Sequence, residues 1–139
     1  MELLLTNSAG DALQNEGVVP FTTIVSNNLQ GVTYVPDSGN ITIGRAGTYL
    51  INWWVALSEG DDSVATAGED EGVAFSITVN GVTVSSAYAG GGTEQISGSS
   101  LVIIGSVPTT VRLVNESGCK VQFAEGTIGQ AGMTITTVA

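Results

Sequence analysis

Residues 47–57 read Gly-Thr-Tyr-Leu-Ile-Asn-Trp-Trp-Val-Ala-Leu. The period-two rule sets Tyr49, Ile51, Trp53, Val55 and Leu57 on one face of a strand, and Leu50, Trp54 and Ala56, beside Asn52, on the other. A half-solvated strand alternates apolar with polar, whereas this one is apolar on both sides. A sheet in a chain of 139 residues hides one face in its own core, so the second face calls for another layer or another subunit. Burying a Trp removes about 150–250 Å² from water, worth roughly 4–6 kcal/mol at about 25 cal/mol per Å² as an upper bound. A term that size rivals the stability of a whole domain, so the pattern predicts a β-sandwich that assembles into an oligomer.

Further strand signals, separated by turn residues, fall near 18–25, 32–35, 40–44, 48–57, 73–79, 82–87, 94–97, 100–105, 109–115, 119–124 and 132–138, with no amphipathic helix beyond a turn near Asp11 to Asn15. About ten short strands predict an all-β sandwich or barrel. The clearest local unit is the hairpin Phe75 to Val84, where Asn80-Gly81 supplies the positive φ angles of a type I′ turn. Its two-residue loop sets Val79 opposite Val82 and Ile77 opposite Val84, so that Phe75, Ile77, Val79, Val82 and Val84 share one face and Ser76, Thr78 and Thr83 the other. Val111 and Leu113 alternate with Thr110 and Arg112, and Val121 and Phe123 with Lys120 and Gln122. The last strand turns Met133 and Ile135 inward and its threonines outward, where they suit a tight interface as well as water. The expected core is Phe21, Ile41, Tyr49, Ile51, Trp53, Phe75, Ile77, Val79, Val111, Leu113 and Phe123, and the expected contact with other copies is Leu50, Trp54, Ala56, Thr134 and Thr136. The length suits a single domain over 1–139, with 1–16 as a lead-in and 17–138 as the sandwich.

Composition narrows the partners. Only 12% of residues are charged, and 13 acids face three cations, Arg45, Arg112 and Lys120, for a net charge of -10. A polyphosphate backbone or an anionic membrane needs a basic footprint, so neither is an expected partner. Like charges on associating chains must sit at the periphery, which leaves an apolar contact at the centre. No run of about 18 apolar residues suits membrane insertion, and the opening Met1-Glu-Leu-Leu-Leu lacks the basic region of a signal peptide, so no export or anchoring signal is expected in this chain. Cys119 is the one cysteine, which excludes an intrachain disulfide and reads as a small buried hydrophobe. No Gly-X-Y run, and hence no collagen segment, lies in the chain.

Chemistry is sparse. The stretch from Ser58 to Gly72 collects Glu59, Asp61, Asp62, Glu69, Asp70 and Glu71. It reads first as a solvated crossover, and Asp61, Asp62, Glu69, Asp70 and Glu71 are candidate ligands for calcium, the one cofactor considered, although their spacing matches no calcium-loop motif. Gly90-Gly91-Gly92 is a connector, since no Lys-Ser or Lys-Thr follows it. The chain has no histidine, no Gly-x-Ser-x-Gly elbow and few cations for an oxyanion clamp, so no enzymatic activity is expected. Trp53 and Trp54, with Tyr34 and Tyr88, raise the alternative of a glycan-binding surface, but adjacent tryptophans on a strand point to opposite faces. One is core, and the other is interface or ligand surface. Asn40-Ile-Thr42 and Asn115-Glu-Ser117 fit the N-glycosylation pattern.

Phe21, Asn27, Tyr34, Ile41, Gly47, Tyr49, Ile51 and Trp53 together resemble the signature of the globular head of complement subcomponent q, with Asn80-Gly81 at its hairpin and Ser97-Gly98 before Leu101-Val-Ile. The spacing from Asn27 to the next aromatic is longer than in that family, and Ile41 and Ile51 stand for phenylalanines. The close, Ala131 to Val138, departs from the family's aromatic ending and looks more like the C-terminal head of bacterial collagen-like glycoproteins of the spore exosporium. The resemblance, over residues 17 to 138, implies a ten-stranded jelly roll of the tumour-necrosis-factor type, a homotrimer about a threefold axis, and strands 48–57 and 132–138 in the inner sheet. It also implies a structural head on a bacterial spore or cell surface, with a collagen-like stalk or other surface-layer proteins as partners. The alternative is a ligand-binding head, lectin-like or at a phage receptor-binding tip.

Overall fold

A computed structural model describes residues 2–7, 12–58, 72–90, 95–124 and 130–138. Within them lie β1 (Glu2–Asn7), β2 (Ala12–Leu13), β3 (Thr23–Asn27), β4 (Val32–Tyr34), β5 (Ile41–Ile43), β6 (Gly47–Ser58), β7 (Val73–Val79), β8 (Val82–Ala89), β9 (Gln95–Ile104), β10 (Thr109–Asn115), β11 (Val121–Phe123) and β12 (Ala131–Val138). They form two sheets. One follows the order β2-β11-β6-β12-β1-β3 with β9 on the other side of β6, and the second follows β4-β5-β10-β7-β8. All pairings between named strands are antiparallel. The two-faced strand of the sequence is β6, the 12-residue centre of the larger sheet, flanked along nearly its whole length by β9 and β12.

The core fills the space between the sheets. Tyr49, Ile51, Trp53, Val55 and Leu57 point into it from β6, Met133 and Ile135 from β12, and Ile41, Phe75, Ile77, Val111 and Leu113 from the facing sheet, all buried with Phe21 and Phe123. Trp53 meets Phe75 across the gap at 6.1 Å between ring centroids. Of the expected core set, Val79 alone is only half-buried, packed at the edge of the core beside the turn. Cys119 is half-buried against the same core.

Three expectations are corrected. Glu2–Asn7 is no lead-in: β1 is inserted between β12 and β3, with Leu3 opposite Ile135 and fully buried. The segments 94–97 and 100–105 are one strand, because Ser97-Gly98-Ser99 continues through the ladder as a partner of Trp54, Trp53 and Asn52 rather than turning. The Asn80-Gly81 hairpin forms with positive φ at both residues and Val79 opposite Val82, but a bulge sets Ile77 opposite Ser85 instead of Val84. The extra residue turns Val84 out to solvent and brings Ser85, Ala87 and Ala89 against the core side of β7. Small side chains there leave room for Phe75 and Ile77.

Candidate functional site

The outer face of the larger sheet carries the candidate site. Directly opposed residues of antiparallel strands share a face, so the registers of β9, β6 and β12 read off that surface row by row. At one end lie Ile103–Thr48–Val138 and Leu101–Leu50–Thr136, in the middle Ser99–Asn52–Thr134, and at the other end Ser97–Trp54–Gly132 and then Gln95–Ala56. Ile103 is 81% exposed, Leu101 65% and Val138 44%. The first two rows are thus an uncovered apolar patch, of which the sequence reading named Leu50 and Thr136 but not Leu101, Ile103 or Val138. Trp54, Ala56 and Thr134, expected alongside Leu50, are also half-buried but belong to the other half of the face. Four apolar residues in a row, Leu101 to Ile104, carry the same two-faced signal as β6 and could have revealed the patch.

Each tryptophan rests on a glycine of a neighbouring strand. A Cβ at Gly98 would come within 2.6 Å of the Trp53 ring on the core side, and one at Gly132 within 2.3 Å of the Trp54 indole nitrogen on the outer side. The ring in each case fills the space a side chain would take. Trp53 is buried against Phe75 and has no room to retreat, whereas Trp54 is half-exposed and can swing outward. Gly98→Ala is therefore expected to cost about 1–3 kcal/mol and Gly132→Ala less than about 1 kcal/mol, an order that urea unfolding of the two variants checks.

Over Trp54 opens a cleft of about 610 Å³, lined among others by Asn52, Trp54, Gln95, Ser97, Ser99 and Thr134, with no charged residue on its wall among the described residues. The side chains of these six make no hydrogen bond to any of the described residues. The outer face of the smaller sheet is the opposite case. There the Ser76 hydroxyl lies 2.7 Å from that of Ser86 and donates to Glu116 at 2.9 Å, Thr83 donates to Glu116 at 2.7 Å, and Arg112 Nε donates to Asn40 Oδ1 at 2.7 Å. One polar face is closed on itself and the other is open.

Asp61, Asp62, Glu69, Asp70 and Glu71 lie outside the described residues, and among the described residues no three metal-ligating side chains cluster. Of the glycosylation patterns, Asn40 is exposed, but Asn115 is fully buried with its amide nitrogen donating to the carbonyls of Leu13, Gln14 and Cys119 at 3.0–3.1 Å, which closes it to modification. Tyr88 is exposed on β8, in the smaller sheet, whereas both tryptophans stand on β6 of the larger one. Tyr34 is core: its hydroxyl donates to Phe21 O at 2.6 Å and accepts from Gly39 N at 3.1 Å. Burial pushes the Tyr34 phenol up, the Gly39 N–H pulls it partly back, and the Asp37 carboxylate pushes it further up. A phenol whose folded pKa is raised contributes stability that is whole below about pH 10 and lost as pH rises through the folded value. Thermal melts of the native chain should therefore fall off above about pH 10, and Tyr34→Phe should flatten that alkaline limb.

No family model and no curated protein matches this chain in sequence. Solved structures do match in fold. The globular domain of zebrafish complement 1qA protein aligns at a TM-score of 0.68 and 10% identity over 99% of this chain and 97% of that one. Eiger TNF from S. frugiperda aligns at 0.71 and 8% over 100% and 92%, and murine APRIL at 0.69 and 8% over 99% and 98%. At such identities the likeness is one of fold: the chain is an all-β, two-sheet jelly roll like these domains.

Proposed function

We infer that this chain is a non-enzymatic, homotrimeric head domain whose work is assembly, of the kind that caps a filamentous protein on a bacterial spore or cell surface. The observation that carries the reading is the patch of Leu101, Ile103, Leu50 and Val138, set in the outer face of the larger sheet. Apolar side chains on adjacent strands of one sheet face are what a subunit contact buries, and the acidic excess of the chain is absent from these rows. The resemblance to complement-type heads supports three as the number of copies and a surface role, and its stalk would be a collagen-like segment of the same or a partner polypeptide. Light scattering on the dilute protein tests the number. A mass of three times 14.1 kDa is expected, and a mass of one chain overturns the reading.

A further inference from the structure

We propose that the cleft over Trp54 binds a neutral saccharide, with a pyranose ring against the Trp54 indole and its hydroxyls held by Asn52, Gln95, Ser97, Ser99 and Thr134. Three features of the cleft point to that class of ligand. Its described lining is uncharged in a chain of net charge -10, so those residues offer no counter-charge to an anion and no carboxylate to a cation. The amides and hydroxyls on its wall both donate and accept, as vicinal sugar hydroxyls do, and none of them is used within the described part of the chain. The apolar surface for the face of a sugar ring comes from Trp54, which β12 holds in place by having glycine at 132. A volume of about 610 Å³ lies within the range of small-molecule sites.

The apolar patch proposed for the subunit contact occupies the other rows of the same ladder. The proposal rests on that contact ending at the Leu101–Leu50–Thr136 row, and because light scattering reads the contact and the titration reads the cleft, the two fail separately. Asn52, Ser97 and Ser99 are exposed, so their truncation leaves the core untouched.

The experiment is a titration of the full chain with the methyl glycosides of glucose, galactose, mannose and N-acetylglucosamine, read by saturation-transfer NMR on the sugar protons and by tryptophan emission, with N-acetylneuraminic acid as the anionic control. At least one neutral glycoside is expected to bind saturably, with Kd of about 1 mM or a little above. Asn52→Ala is expected to weaken that binding about tenfold, the scale of one lost hydrogen bond to a ligand, and Gly132→Ala to weaken it by displacing the Trp54 ring. No saturable binding of any neutral glycoside up to about 50 mM overturns the proposal. So does binding that Asn52→Ala and Gly132→Ala leave unchanged, which would place the sugar elsewhere, or equal binding of the anionic control.

Discussion

Asn115→Asp is expected to be among the most damaging single-atom-scale changes in this protein, costing about 3–5 kcal/mol at neutral pH. The wild-type amide is a junction. Its nitrogen donates to the carbonyls of Leu13, Gln14 and Cys119, its oxygen accepts from Ser117 N at 3.0 Å, and its backbone pairs with Glu16 and Gly17. It thereby ties the segment after β2 to the turn between β10 and β11, and the strand-like pairing continues with Val19 N donating to Leu113 O. An aspartate of the same shape would hold a carboxylate against three carbonyl oxygens in a fully buried site. Three acceptors would lose their donor and an unpaired charge would be buried. The folded form would hold the new carboxyl protonated, raising its pKa above the unfolded value of about 3.9. Stability is then lost as pH rises from the unfolded toward the folded pKa. Relative to wild type, the variant should be closest near pH 4 and furthest at pH 7. Parallel denaturation at the two pH values checks this, and an equal deficit at both would mean that the charge is not what destabilises it.

How much of this architecture the sequence displays depends on whether a signal is local. The two-faced character of β6 is local, since both sets of apolar residues stand within one 12-residue strand. The Asn80-Gly81 turn is local too. The bulge beside it is not, because nothing in the run from Val82 to Ser85 distinguishes a residue that pairs from one that is squeezed out; the choice follows from packing Ser85 and Ala87 against the larger residues of β7. β1 is invisible for a similar reason. Its partner β12 is more than 120 residues away, and a short apolar run near a terminus has no periodicity long enough to declare a strand. Alternation along β6 sets Trp54 on the face opposite Trp53, but its companions depend on register. The sequence placed it beside Leu50 and Ala56 along one strand, while the sheet sets it across from Ser97 and Gly132. Neighbours across strands, which sequence spacing does not reveal, are what turn one half of the face into an apolar patch and the other into a polar cleft.

The proposed assembly should collapse when that patch is charged. Ile103→Asp, or Leu101→Asp, is expected to convert a trimer into monomers at micromolar concentration while leaving the melting of the single domain almost unchanged, since both side chains are more than half exposed within one chain. Burying an isoleucine or leucine at a contact is worth about 1.5–3 kcal/mol, and burying an unpaired carboxylate costs several more. Threefold symmetry repeats that penalty in every subunit, so the trimer would lose upwards of about 10 kcal/mol, or about seven powers of ten in its association constant. Charge alone is a competing cause in a chain already at -10, and Ile103→Lys separates the two. If self-repulsion were what kept association in balance, the lysine would be tolerated or would tighten the trimer. If the contact is apolar and desolvated, the lysine breaks it as the aspartate does. Sedimentation of both variants beside the wild type reads the answer directly. A trimer that survives Ile103→Asp and Leu101→Asp together would move the contact to another surface.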